Sequence, residues 1–490
     1  MTNPVPSAGL PSRSGVRRSG DHYQDLIAWA AALRVIEPHN KITQLELEIN
    51  GAGNVDDVVL RRPTMGHRYT QVKWATTTAS TINNLYLTDR PRRGKSVLEK
   101  LYNSYQLLRD DDHPPTLELL SNRVLDPDDP LLSRVDGRTE LLTPFARLAR
   151  PDSPAGLQVA AWAEHIGTSR ADLVDMLDHL LFRTGMSVAS ERDRAQVLML
   201  AAGLRHDENA LDDGISAAAG WIRDGKRILT VQYIHGEIDA LGLRADKPRS
   251  ILLIQAIDHD PHPEDATEIL DWVDLYQGDN PMTRAQPADP ASWATMAGDL
   301  SNAVSRLKAA DAQDVLVRGA LRQATFFLTG ALLAHVTGKT VSYVQQGVLW
   351  SSNASRTPVP PPSVARITIG AGNDLAIAIG IAVDPTVAVT QYLRNHSIPV
   401  AELAVFLPKE GAHDQAVSGP GAAVAYAQEI RNAIRLELEH RPAERLHLYL
   451  AGPGGLALLL GHRWNRLAPT TVYEHLGPGR GYTPAFNVEA

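Results

Sequence analysis

The chain of 490 residues contains no cysteine. That absence removes disulfides, thiolate zinc sites and cysteine nucleophiles together. No apolar run is long enough to cross a bilayer; the longest, residues 321–336, is interrupted by Arg322, Gln323 and His335. Residues 1–20 are rich in Pro, Ser, Gly and Arg and lack an apolar h-region, so they read as a disordered tail rather than a signal peptide. The cytoplasm is the simplest compartment, and no membrane partner is expected. There is no Gly-x-Ser-x-Gly elbow, no His-Glu-x-x-His and no Gly-x-Gly-x-x-Gly with a downstream acid. The signatures of α/β-hydrolases, zincins and dinucleotide-dependent enzymes are therefore missing.

What is present is the composition of a soluble globular protein, 43% hydrophobic and 21% charged, in a length that calls for two or three domains. A net charge of −8 does not exclude a nucleic-acid partner, because a local groove is enough to neutralise phosphates. Arg90, Arg92, Arg93 and Lys95 form one basic cluster and Arg13, Arg17 and Arg18 another. The competing reading is a solvated loop and a flexible tail.

Residues 21–35 carry Leu26, Ile27, Trp29, Ala30 and Leu33 at helical spacing, with Asp21 as a cap. Residues 42–49 alternate with period two and Asn50-Gly51 turns the chain. Two further strands, a helix over 96–109 and a strand over 116–120 follow. Residues 155–221 read as helical, with Leu173, Met176, Leu177, Leu180 and Leu181 at 3–4 spacing. From Arg249 strands alternate with helices, broken by a Pro-rich stretch over 357–363, which argues for two tandem Rossmann-like units on parallel sheets. The expected division is a tail over 1–20, a first domain over 21–152, a helical connector over 153–245 and a second domain over 246–490.

Most of the chemistry sits in Val55-Asp56-Asp57-Val58-Val59-Leu60 and, one loop later, Tyr69-Thr70-Gln71-Val72-Lys73. Gln71 and Lys73, two apart on a strand, point to one face, and an acid on the preceding strand can meet them. A carboxylate suits Mg²⁺, or Mn²⁺, with their hard oxygen ligands. Lys73 can stabilise charge built up in a transition state. Asp56 and Asp57 point to opposite faces, so only one can hold metal; Asp57, directly before the apolar triplet, is preferred. Glu48 is a candidate second acid, and Gln24, beside Tyr23, lies on the first helix. This pattern resembles the PD-(D/E)xK nuclease superfamily, in its variant with Gln in place of the second acid. The resemblance implies a restriction-endonuclease-like N-terminal domain with Asp57, Gln71, Lys73, Glu48 and Gln24 at its active site. Asp57, Gln71 and Glu48 would be its metal ligands. Two other signals are discounted. Arg93-Gly94-Lys95-Ser96 lacks the first glycine of a P-loop and reads as a basic helix start capped at Ser96, and residues 258–265, acidic with two His, read as a polar loop rather than a metal site.

In the second half, Ala451-Gly452-Pro453-Gly454-Gly455 opens a helix after a strand and offers N–H groups to a phosphate. Arg318, Arg322 and Lys409 can pair with phosphates, and Tyr343, Trp350 or Tyr473 can stack on a base, core packing being the other reading of each aromatic. Asn465 and Glu474 can tie the last strand to its helix. Together with Gly461-His462-Arg463-Trp464-Asn465, Val472-Tyr473-Glu474-His475 and Gly481-Tyr482-Thr483-Pro484-Ala485-Phe486, this series resembles the SAVED domain, two fused CARF-type Rossmann units that bind cyclic oligonucleotides. Arg318, Arg322, Lys409, Gly452, Gly454, Gly455 and Tyr473 are the expected ligand contacts. A Gln-x-Lys nuclease followed by SAVED is similar to the effectors of bacterial CBASS anti-phage systems. The resemblance implies an α/β chain in which a cyclic oligonucleotide binds SAVED, subunits self-associate, and double-stranded DNA is degraded. The alternative, kept open by Gln71, is a ligand-driven scaffold whose nuclease domain is inactive.

Overall fold

The computed structural model describes residues 13–489 apart from 38–39, 50–51, 54, 78–80, 93, 111 and 144. The Asn50-Gly51 turn, Arg93 and residues 1–12 of the expected tail lie outside the described residues. The chain divides into two compact units, Met1–Lys247 and Pro248–Ala490. Among the described residues no helix is long and apolar enough to cross a membrane.

In the first unit, β1 (Gln44–Leu47), β2 (Val58–Arg61), β3 (Arg68–Lys73), β4 (Thr116–Ser121), β5 (Leu180–Arg183) and β6 (Ile228–Thr230) form one sheet in the order β5-β4-β3-β2-β1-β6. β3, β4 and β5 run parallel, and the remaining pairs are antiparallel. Period-two alternation sorts the side chains. Val58, Leu60 and Leu120 pack with Leu26, Ala30 and Leu33 of the first helix. Val59, Tyr69, Leu117 and Leu119 pack on the other face with Leu98, Leu101 and Tyr105 of the helix Val97–Leu108. Ser96 caps that helix, as the sequence predicts, and with Glu99 it forms a capping box.

The structure departs from the expected boundaries twice. The first helix runs Arg13–Val35, so residues 13–20 are helix rather than tail, and Asp21 lies within it rather than at its cap. Gly15 and Gly20 weaken a helix without stopping it, and the last proline before it is Pro11. Residues 153–245 are not a separate connector. They supply β5 and β6 at the two edges of the sheet, and Ala195, Leu198, Leu211, Ile215 and Trp221 pack into the core around the first helix. Leu180 and Leu181 continue the helical spacing of Leu177 by coincidence: Leu180 and Phe182 are buried in the second core as members of β5. Short apolar runs are ambiguous between helix and strand.

A charge network locks β3, β4 and β5 in register beneath the first helix. Arg68 donates to both oxygens of Glu118 at 3.0 and 3.2 Å, Thr70 Oγ1 adds a bond of 2.6 Å, and Arg183 approaches the same carboxylate at 3.4 Å.

The second unit contains two mixed sheets. β7 (Ser250–Gln255), β8 (Glu268–Asp271), β9 (Asp314–Arg318), β10 (Thr340–Gln345) and β11 (Val348–Ser351) lie in the order β11-β10-β9-β7-β8. β12 (Ser363–Thr368), β13 (Asp374–Gly380), β14 (Val400–Leu407), β15 (Leu446–Ala451), β16 (Thr470–His475) and β17 (Tyr482–Val488) lie in the order β12-β14-β13-β15-β16-β17. The inner pairs are parallel; β11, β12 and β17 are antiparallel edge strands, so neither sheet is parallel throughout. In each sheet the order reverses once, between β7 and β9 and between β13 and β15. Ligands of open α/β sheets bind at such switch points, beyond the carboxyl ends of the strands.

The halves are joined by the helices Gln323–Leu332 and Gly454–His462, which follow β9 and β15. A Cβ on Gly330 would stand 2.0 Å from the Leu458 carbonyl oxygen, and one on Gly461 would stand 2.0 Å from that of Phe327. Gly330 and Gly461 are each the eighth residue of their helix, and Phe327 and Leu458 each the fifth. The crossing is therefore a pseudo-two-fold contact that only glycine permits. Gly330→Leu is expected to cost about 3 kcal/mol of stability by overpacking. Gly298→Ala, in a helix of the same unit with nothing within 4 Å of the added Cβ, is expected to raise stability by up to about 1 kcal/mol. Urea unfolding of the two variants measures the contrast.

Candidate functional site

β2 and β3 bring the first set of residues together. Asp57 stands just before β2, and its Oδ2 accepts hydrogen bonds from the Gln71 side-chain amide and from the Val72 N–H, the latter at 2.7 Å. Lys73 follows two residues later on the Gln71 face. Burial raises the pKa of Asp57, and the Lys73 ammonium and the Val72 N–H oppose that rise. Burial lowers the pKa of Lys73, and Asp57 counters it while Lys100 adds to it. Asp56 is also raised by burial and drawn down by Lys73. One lysine thus sits in the field of two adjacent carboxylates.

Glu48 and Gln24 form a neighbouring group. Glu48 lies just past β1 with φ +44°, and its backbone N–H reaches the Asp57 carbonyl at 3.3 Å. Its Oε1 accepts from Gln24 Nε2 at 3.4 Å, and its Oε2 pairs with Arg227. Both Glu48 oxygens therefore have protein partners. Two residues here carry no motif. Arg227 is remote in sequence. Asp25, next to Gln24, is pushed up to about 6 by burial, then by Asp21 and Glu48. Tyr23 is an anchor: its hydroxyl donates to the Met186 carbonyl at 2.7 Å and its ring lies 5.0 Å from Trp74. In the basic cluster Arg90 is paired with Glu99, while Arg92 and Lys95 are exposed.

The donors around Lys73 fit a divalent cation. Asp57 offers a hard oxygen from a carboxylate held partly out of water, and the Gln71 amide turned about its end would offer Oε1. Among the described residues, the set of metal-ligating side chains with atoms within 4.8 Å of one another is elsewhere, at His262, Glu264 and Asp265 in the second unit.

The expected ligand residues of the second unit meet different fates. Arg318, ending β9 at the first switch point, donates to both oxygens of Asp260 at 2.8 and 2.5 Å and to the His262 carbonyl at 2.6 Å. Arg322 donates to the Arg284 carbonyl at 2.9 Å, holding the loop before the helix Ser292–Ala309. Lys409 is exposed. Gly452 lies at the second switch point, where its carbonyl accepts from Gln323 Nε2. A Cβ on Gly454 would stand 2.3 Å from the Phe326 ring, and one on Gly455 2.9 Å from Trp350; aromatic packing requires these glycines. Tyr473 is not a stacking platform. It is 6% exposed, stacked on Tyr449 at 4.5 Å, with its hydroxyl on His447 Nδ1 at 2.9 Å. Trp350 is buried, and Tyr343 lies edge-on to Phe326 at 4.8 Å. Asn465 accepts from Arg431 in the helix Pro420–His440.

Reciprocal caps join the halves, and no motif announced them. Ala324 and Gly455 are the second residues of the two crossing helices. The Ala324 N–H donates to Glu474 of β16 at 2.9 Å, and the Gly455 N–H to Gln345 of β10 at 3.1 Å. Each cap comes from the opposite half, so Glu474 ties β16 to the Gln323 helix rather than to the Gly454 helix that precedes it. Burial pushes Glu474 up to about 7, against the Ala324 N–H and Arg322. Between its ordinary 4.5 and about 7 the folded chain keeps a proton that the unfolded chain has released. Stability from this group therefore falls as pH rises through that window and levels off above it. Glu474→Gln should abolish that pH dependence and gain on wild type between pH 5 and 8. Hydrogen exchange of the Gln323 helix across that range reads the difference.

Residues 299–488 match the family model SAVED, described as SMODS-associated and fused to various effectors sensor domain. The C-terminal part of the chain is a SAVED sensor domain. No curated protein matches the sequence. Among solved structures, the chain is similar to the Acinetobacter baumannii Cap4 SAVED/CARF-domain containing receptor with the cyclic trinucleotide 2'3'3'-cAAA, at 14% identity and TM-score 0.48, over 98% of this chain and 100% of that one. The Moraxella osloensis Cap4 SAVED/CARF-domain containing receptor is similar at 13% identity and TM-score 0.45, over 96% of this chain and 100% of that one.

Proposed function

We propose that this chain is a metal-dependent double-stranded DNA endonuclease, switched on by a cyclic oligonucleotide, in bacterial anti-phage defence of the CBASS type. The observation that carries the reading is the presence in one chain of a SAVED sensor, a domain described as fused to effectors, and of the Asp57–Gln71–Lys73 group. The restriction-endonuclease-like core begins near residue 21 and takes its edge strands from residues 153–245. Asp57, with Gln71 and Glu48 assisting, would hold Mg²⁺ or Mn²⁺. The bound ion supplies polarisation of a phosphoryl oxygen and a lowered pKa for the attacking water. Lys73 holds its proton next to Asp57 and places the ammonium on developing phosphorane charge. Gln24 orients Glu48. In the sensor, Arg318 and the 452–455 loop lie at the switch points, with exposed Lys409 as a further cation, while Arg322 is held on the Arg284 carbonyl. Ligand must favour the self-associated active form over the resting one, since equal binding shifts nothing.

The Gln71–Asp57 hydrogen bond favours a second reading, a scaffold whose acid is already satisfied by its own chain. The Lys73→Ala and Asp57→Asn variants separate the two. DNA cutting should fall at least about 100-fold, with cyclic-oligonucleotide binding unchanged. Undiminished toxicity of Lys73→Ala in cells would support the scaffold, and joint loss of cutting and binding would contradict the division of labour.

A further inference from the structure

The Arg318 fork is the cation at the first switch point, and it is already filled. Both Asp260 oxygens sit on it at 2.8 and 2.5 Å, with the two side chains 15% and 14% exposed. Asp260 comes from the loop after β7. Its backbone N–H is held by Gln255 Oε1 at 2.7 Å, and its Oδ1 also accepts the His262 N–H at 2.8 Å. A guanidinium fork matches a carboxylate and a phosphodiester equally well, since each presents two oxygens at similar spacing. Arg322 cannot substitute in this role, because it is spent on the backbone carbonyls of Arg284 and Pro281.

We propose that Asp260 is an internal occupant of the phosphate position: its carboxylate holds Arg318 until a phosphodiester of the ligand displaces it. This rests on the sensor reading above. Asp260 then sets the affinity threshold, since a ligand gains only the difference between its phosphate and the resident carboxylate. Displacement also frees the Asp260 carboxylate to move, while the Asp260 backbone N–H stays on Gln255 Oε1. The carboxylate disfavours neutral ligands, which cannot compete for the fork, and selects for anionic ones.

The test uses the full chain as wild type, Asp260→Asn, Asp260→Ser, and Asp260→Asn combined with Arg318→Ala. Binding is measured by calorimetry with two kinds of probe, inorganic pyrophosphate and the cyclic trinucleotides 2'3'3'-cAAA and 3'3'3'-cAAA, with thermal melts confirming that each variant is folded. Both Asp260 variants should bind about tenfold more tightly than wild type, the scale of one charged hydrogen bond, and the gain should vanish with Arg318→Ala. Equal affinity of wild type and Asp260 variants for a trinucleotide that binds would overturn the inference and leave the sensor reading intact. Tightening for pyrophosphate without binding of either trinucleotide would support the resident carboxylate and count against the sensor reading. Weaker binding in the Asp260 variants would make Asp260 a support for Arg318 and overturn its role as competitor. Absence of binding by any form to any probe would overturn it too, because removing Asp260 must unmask the fork.

Discussion

A carboxylate taken out of water costs several kcal/mol unless a donor answers it, and this chain stations such carboxylates where its elements must meet. Glu118 is answered by Arg68, Thr70 and Arg183, which fixes β3 and β5 against β4 between them. Because β3 also carries Gln71 and Lys73, that register sets which residues face Asp57. A slip of one residue would turn both to the opposite face. Glu474 is answered by a backbone N–H of the other half, and Asp260 by Arg318. In each case the partner comes from a different element; for Glu118 and Asp260 that partner is an arginine, so removing one member strands a charge, whereas the Ala324 N–H that answers Glu474 is neutral.

The second unit shows how duplication multiplies such constraints. Two crossing helices meet through glycines at equivalent positions, and each helix start is capped from the opposite half. The caps are chemically unequal, one a titratable carboxylate and the other a neutral amide. The helix dipole favours negative charge at both starts, yet only the Gln323 helix receives it from within.

Much of this was legible in the sequence. The Gln-x-Lys strand, the Ser96 cap and the glycine-rich start of the last helix are local signals set by period, cap chemistry and turn chemistry. Some strands of the second unit, such as β7, β9, β15 and β16, stood out for the same reason, whereas β8, β10, β11 and β14 did not. What failed was non-local. The helical spacing of Leu173 to Leu181 hid a strand that only its neighbours in the sheet could reveal. Arg227 meets Glu48 across 179 residues, and no spacing encodes that. Tyr473 looked like a stacking platform because an aromatic on a strand is equally suited to a core, and the cluster with Tyr392, Tyr449 and Tyr482 forms only on folding. Arg318 is legible as a cation, but its partner in the 258–265 loop is not, since pairing depends on where that loop returns.

The central claim is that sensing and cutting are coupled in one chain. The most direct measurement is cleavage of plasmid DNA by the wild-type protein with Mg²⁺, with and without a panel of cyclic di-, tri- and tetranucleotides. The account predicts cleavage with one cyclic oligonucleotide and none without it. Cleavage independent of every cyclic nucleotide, or binding of one with no cleavage, would contradict it.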